Sequence, residues 1–172
     1  AQIRIADWYY SKGMLEESLE SYKVAETLDS ENPVVQARLG KIYVDKNEKT
    51  KARVALEKAI KLNPKDAQSH YQLGKMVSGE GKWGRAQSLL SNAISLDARH
   101  AHSHYELGVV LLGREKFDLA RESFQKALDL EPKNADFIMG LVLALIEKKK
   151  FDESLELLLS ITKSEKNNPK IF

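Results

Sequence analysis

Residues 67–134 of this 172-residue chain read AQSHYQLGKMVSGEGKWGRAQSLLSNAISLDARH and then AHSHYELGVVLLGREKFDLARESFQKALDLEPKN. Written one above the other, these two lines of 34 residues place Leu73-Gly74 over Leu107-Gly108, Ala86 over Ala120, Ala93 over Ala127 and Leu96 over Leu130. One period earlier the same columns hold Leu39-Gly40, Ala52, Ala59 and Leu62. Pro64 and Pro132 stand two periods apart with Ala98 between them, and Lys82-Trp83, Lys116-Phe117 and Lys150-Phe151 form a further column. Self-similarity at one fixed period marks a repeat architecture. Units this short cannot bury an apolar face alone, so neighbours must stack.

With Pro33, Ala67, Ala101 and Ala135 taken as position 1, positions 4, 7, 8 and 11 fall on one side of a helix at ~100° per residue. In the second unit they are Gln36, Leu39, Gly40 and Tyr43. After a break at Lys46-Asn47-Glu48 or Glu80-Gly81-Lys82, positions 20, 24, 27 and 28 form a second stripe, as in Ala120, Phe124, Ala127 and Leu128. Each unit therefore reads as an antiparallel helix pair whose small residues at positions 8 and 20 let two backbones approach closely. The reading divides the chain into residues 1–32 (entered part-way through a first helix), 33–66, 67–100, 101–134, a degenerate fifth unit at 135–168, and the start of another at 169–172. Ser18 at position 20 makes the first unit irregular, and Val142, Ser154 and Ile161 do so in the fifth. Asn32-Pro33 and Asn168-Pro169 both read as a helix cap followed by the first helical position.

On these columns the chain resembles the tetratricopeptide repeat (TPR) family: Leu-Gly at positions 7 and 8, Tyr at 11, Ala at 20, an aromatic at 24, Ala at 27 and Pro at 32. The resemblance implies an all-α, right-handed solenoid of stacked antiparallel helix pairs, a superhelix whose first helices line a concave groove for a peptide segment or helix of a partner. The groove residues are then those opposite the packing stripe: Arg38, Lys41 and Asp45; Gln68, Tyr71, Gln72 and Lys75; His102, Tyr105, Glu106 and Val109; Asp136, Met139, Leu143 and Glu147. Tyr71 and Tyr105, one period apart, are either rigid anchors for a ligand or packing residues. Family members that grip a chaperone's terminal carboxylate do so with a Lys/Asn/Asn/Lys/Arg set. The matching positions here are Ala37, Lys41, Gln72, His102 and Glu106, so that clamp is not expected.

Charge alone names no partner. Lys and Arg number 27 against 25 Asp and Glu, so no global basic excess recruits nucleic acid and no acidic excess marks a solvating tail. The basic residues Lys46, Lys49, Lys51 and Arg53 gather at one turn, but Glu48 and Glu57 interrupt them. No cysteine exists to form a disulfide, a thiolate metal site or a thiol nucleophile. Glu16-Glu17 and Asp152-Glu153 sit where helices start, and the helix dipole explains them without catalysis. His100, His102 and His104 resemble a metal cluster, yet on a helix His102 points away from the other two, and His70 and His104 fall at packing position 4. No cofactor and no metal are expected.

The ten-residue apolar run Phe137–Ile146 is too short to span a bilayer, so no direct membrane insertion is expected. The chain opens at Ala1 with no leader, and Leu155, Leu157, Leu158, Leu159 and Ile161 form an apolar last helix with no polar cap behind it. Together these read as a fragment of a longer array, with any targeting signal elsewhere. The function expected is non-catalytic binding of another protein during assembly of a complex. Two alternatives are the substrate-recognition arm of an enzyme such as a glycosyltransferase, and self-association. Position 6 reads Arg4, Arg38, Gln72, Glu106 and Gly140, without the Asn ladder of the family's sugar-transferring members.

Overall fold

The computed structural model describes residues 2–149, 151–156 and 159. Its helices are α1 (Gln2–Ser11), α2 (Leu15–Leu28), α3 (Pro33–Asp45), α4 (Lys49–Leu62), α5 (Ala67–Ser78), α6 (Trp83–Leu96), α7 (Ala101–Gly113), α8 (Phe117–Leu130) and α9 (Ala135–Glu147). Residues 151–156 are also helical, and no strand occurs among the described residues. The architecture is all-α, built of stacked antiparallel helix pairs. Expectations that fall on Leu157, Leu158, Ile161, the polar stretch 163–168 and the Asn168-Pro169 start lie outside the described residues. Two compact units divide the chain between Ala98 and Arg99: α1–α6 form the first, and α7–α9 belong to the second.

Two of the helices, α3 and α9, begin at an asparagine whose side chain satisfies free backbone amides. The Asn32 side-chain oxygen accepts from the backbone N–H of Val34 at 3.1 Å and Val35 at 3.3 Å, with Pro33 at the first helical position. Asn134 caps α9 in the same manner, through the Asp136 amide at 3.1 Å. Between the two helices of each pair the chain reverses through one residue with positive φ: Gly13 (74°), Asn47 (58°), Gly81 (73°), Glu115 (59°) and Lys149 (59°). These five stand 34 residues apart, yet share no side-chain character. Backbone conformation alone defines the column.

The position-20 and position-27 alanines are buried: Ala52, Ala86, Ala120, Ala59 and Ala127 at 0% exposure and Ala93 at 1%. The irregular Ser18 keeps the spacing, because its buried hydroxyl donates to the Ala6 carbonyl oxygen at 2.9 Å and leaves no unmet polar group. The glycines of position 8 do more than the close backbone approach expected of them. A Cβ on Gly40 would lie 2.7 Å from Leu56, one on Gly74 2.9 Å from Leu90, and one on Gly108 2.7 Å from the Phe124 ring. Each glycine thus makes room for the bulky residue at position 24 of its own pair.

In the first unit Ala6, Leu19, Tyr22, Ala25, Val35, Leu39, Ile42 and Ala55 form one apolar cluster. In the second, Leu111, Ala120, Phe124, Leu141, Ala144 and Leu145 do so, with Tyr105 and Leu128 packed against them.

Candidate functional site

Inward-facing apolar residues leave the opposite sides of the first helices open to solvent. In the first unit α3 and α5 border a cleft of about 250 Å³ lined by Val34, Ala37, Arg38, Lys41, Leu56, Gln68 and Gln72, with Asn63, Asp66 and Ser69 at one end. Four of the residues expected on the binding face, Arg38, Lys41, Gln68 and Gln72, therefore share one depression. Lys75 and Gln72 line a second cleft of similar volume with Val44, Lys49, Ala52 and Met76. Asp45 lies at the exposed end of α3. Tyr71, by contrast, is only 7% exposed.

A polar network fixes the α3 wall. Tyr22, fully buried on α2, donates its hydroxyl to Asp7 on α1 at 2.5 Å, and Asp7 lies 3.3 Å from the Nε of Arg38. Tyr10 donates to Asp45 at 2.5 Å while the Lys41 ammonium stands 4.8 Å over the Tyr10 ring. Burial first, and then the bond to Asp45, push the Tyr10 phenol up to about 12. Burial and Asp7 move Tyr22 in the same direction.

The second unit presents a different face. His102, Met139 and Leu143 are exposed, as are Asp136 and Glu147, while Val109 is half-buried and Glu106 is buried. Tyr105 is half-buried and stacks on Phe137 with centroids 5.1 Å apart, and meets Phe124 at 5.6 Å. His102 meets the Phe137 ring edge-on at 5.2 Å.

The histidines do not assemble as a cluster. His100 precedes α7 and is its cap: its Nδ1 accepts from the Ser103 amide at 3.2 Å and lies 2.7 Å from the Ser103 hydroxyl. The helical-face relation expected between His100 and His104 therefore does not apply. His70 is buried in the first unit with Nε2 3.0 Å from the Pro64 carbonyl oxygen. Among the described residues no three His, Asp or Glu side chains are grouped to hold a metal ion.

Three cations of the basic turn, Lys46, Lys51 and Arg53, are paired with carboxylates. Lys46 pairs with Glu16, Lys51 with Glu48 at 2.6 Å, and Arg53 with Glu80, which also holds Lys82 at 2.8 Å. Hydrogen bonds from Arg53 and then Lys82 hold the Glu80 carboxyl down at about 2. No helix among the described residues is long and apolar enough to cross a membrane.

One exposed group escaped sequence reasoning. Trp8 is 54% exposed and lines a shallow hollow with Arg4, Ile5 and Tyr9. The available signal was its column: position 10 elsewhere holds Ile42, Met76, Val110 and Ala144, and Trp8 is its only aromatic.

Models of the tetratricopeptide repeat match residues 79–128 and 111–172, and a TPR repeat model matches residues 40–77. No curated protein matches in sequence. Among solved structures, a crystal structure of MamA is 26% identical, with a TM-score of 0.85 over 97% of this chain and 98% of that one. MamA residues 41 to the end from Desulfovibrio magneticus RS-1 are 20% identical, with a TM-score of 0.87 over 98% and 96%. YrrB, a TPR protein with an unusual peptide-binding site, is 24% identical, with a TM-score of 0.79 over 98% and 86%. The repeat models, the 34-residue helix period and the glycine and alanine columns agree: the chain belongs to the tetratricopeptide repeat family.

Proposed function

We propose that this chain is a non-catalytic protein-interaction module that receives a segment of a partner on its exposed first-helix faces and serves the assembly of a complex. The observation that carries this reading is the α3–α5 cleft, where Arg38, Lys41, Gln68 and Gln72 converge above an apolar floor of Val34, Ala37 and Leu56. A volume of about 250 Å³ falls below the ~300–1,000 Å³ of small-molecule sites but suits side chains of a bound polypeptide. The cleft walls are helices held by buried cores, so little order has to be gained on binding. The fold shared with YrrB, which has a peptide-binding site, is consistent with this role. The paired Lys46, Lys51 and Arg53 favour a protein over a nucleic acid.

The test is capture from lysate by immobilised chain, comparing wild type with a Lys41→Ala/Gln72→Ala/Met139→Ala variant and with a Val54→Ala/Leu119→Ala control on exposed second-helix positions. Proteins held by wild type and control but weakened by ~2 kcal/mol, roughly 30-fold, in the still-helical face variant are the expected outcome. Equal retention by all three would overturn the reading.

A further inference from the structure

We infer that the α3–α5 cleft selects an acidic, extended segment of its partner, with carboxylates set against Arg38 and Lys41. This rests on the interaction role proposed above and names the chemistry of the ligand. The argument is an imbalance of hydrogen-bonding groups. Arg38 contacts Asp7 through Nε, leaving the N–H groups at the fork of its guanidinium without a protein acceptor among the described residues. Lys41 contacts the Tyr10 ring, and no carboxylate pairs with it among those residues. The lining carries Arg38 and Lys41 against a single carboxylate, Asp66, which accepts the Ser69 hydroxyl at 2.5 Å and keeps its charge. The α3 wall thus presents charged donors, and its occupant must bring acceptors.

The α5 wall supplies the complement. Gln68 and Gln72 make no side-chain hydrogen bond to the rest of the protein among the described residues. A primary amide can donate to a carbonyl and accept from an N–H, and an extended backbone offers both. Between the walls Val34, Ala37 and Leu56 form a floor for aliphatic carbons. An extended chain bearing carboxylates meets all three surfaces, its carboxylates facing the α3 wall, its backbone the glutamine amides and its aliphatic carbons the floor. A tracked phosphodiester strand would want further unpaired cations and a stacking ring, and no aromatic residue lines this cleft.

The experiment titrates the whole chain against fluorescein-labelled, N-acetylated peptides of roughly 12 residues, about 40 Å when extended. The set comprises an amidated Glu/Ala peptide, its Lys/Ala and Gln/Ala counterparts, a Gln/Ala peptide with a free C-terminus, and an oligo(dT) of similar length. The Glu/Ala peptide is expected to bind at least ~10-fold more tightly than the Gln/Ala peptide, a difference of about 1.4 kcal/mol. That margin should vanish in an Arg38→Gln/Lys41→Gln variant shown by circular dichroism to remain helical.

Equal binding of Lys/Ala or Gln/Ala peptides overturns acidic selection and leaves the interaction role standing. Preference for the free C-terminus assigns the carboxylate to a chain end and overturns the extended acidic segment, and preference for oligo(dT) overturns the peptide. A margin that survives the double variant overturns the assignment to Arg38 and Lys41. No binding of any probe up to about 1 mM, the weak end of measurable affinity, overturns this inference, while the capture experiment decides the interaction role independently.

Discussion

Tyr22 and Phe124 occupy the same place in their repeats, position 24, and are both buried, at 0% and 1% exposure. Tyr22 sends its hydroxyl to Asp7, which in turn meets Arg38, so the first unit couples α1, α2 and α3 through a polar chain that ends at the proposed binding face. Phe124 has no such handle. Its ring sits under Gly108 and Gly140, where an added Cβ would come within 2.7 and 2.6 Å of it, and against Tyr105. A ring at position 24 thus reaches the first helix before it and the one after it. In one unit that reach organises charge at the surface, and in the other it fills space.

The sharpest way to break the comparison is Phe124→Ala, which should cost about 3–5 kcal/mol in denaturant melts because the glycines above the void cannot fill it. Gly140→Ala should cost ~1–3 kcal/mol through overpacking, and much less when combined with Phe124→Ala, which removes the ring that the added methyl would strike. Equal losses in both backgrounds would show that the glycine serves something other than the ring. Tyr22→Phe should cost only about 1 kcal/mol, since half-exposed Asp7 can bond to water. It should nevertheless weaken acidic-peptide binding by loosening Arg38, whereas Tyr105→Phe should leave that binding unchanged.

Glu115→Gly should stabilise by ~1 kcal/mol, as a Cβ in the left-handed region is strained, and Asn47→Gly by less. The smallest effect concerns acid. The Glu80 carboxyl lies below its ordinary value, so its contribution is complete above the unfolded value of about 4.3 and fades as pH falls toward about 2. Glu80→Gln should flatten that part of the stability–pH curve by slightly lowering stability at neutral pH, where the carboxylate is ionised and paired, while leaving stability near pH 2 unchanged.

Repeat period, helix pairing and the small-residue columns were legible because they are constraints on side-chain volume, which the residue letters report directly. The partner of each glycine was not, since Gly40, Gly74 and Gly108 are consistent with either a close backbone or a large facing side chain, and only the packed helices reveal Leu56, Leu90 and Phe124 there. The left-handed column was hidden for a different reason: Gly, Asn, Gly, Glu and Lys meet one torsional demand with unrelated side chains. Of the expected binding face, the exposure of Arg38, Lys75, Met139 and Leu143 followed from helical spacing. Burial of Tyr71 and Glu106 did not, because exposure at positions 5 and 6 depends on how neighbouring helices crowd them, and one helix wheel contains no neighbour.

The sharing of Phe124 between Gly108 and Gly140 bears on repeats as exchangeable parts. Counting in 34-residue blocks suggests cutting after Asn134 and grafting the piece elsewhere. Such a cut separates a ring from one of the two notches shaped for it, and any incoming helix with a larger residue in place of Gly140 would be held off the stack. For anyone building new arrays from this chain, the transferable block is the triple α7–α8–α9, with its seam falling inside a counted repeat.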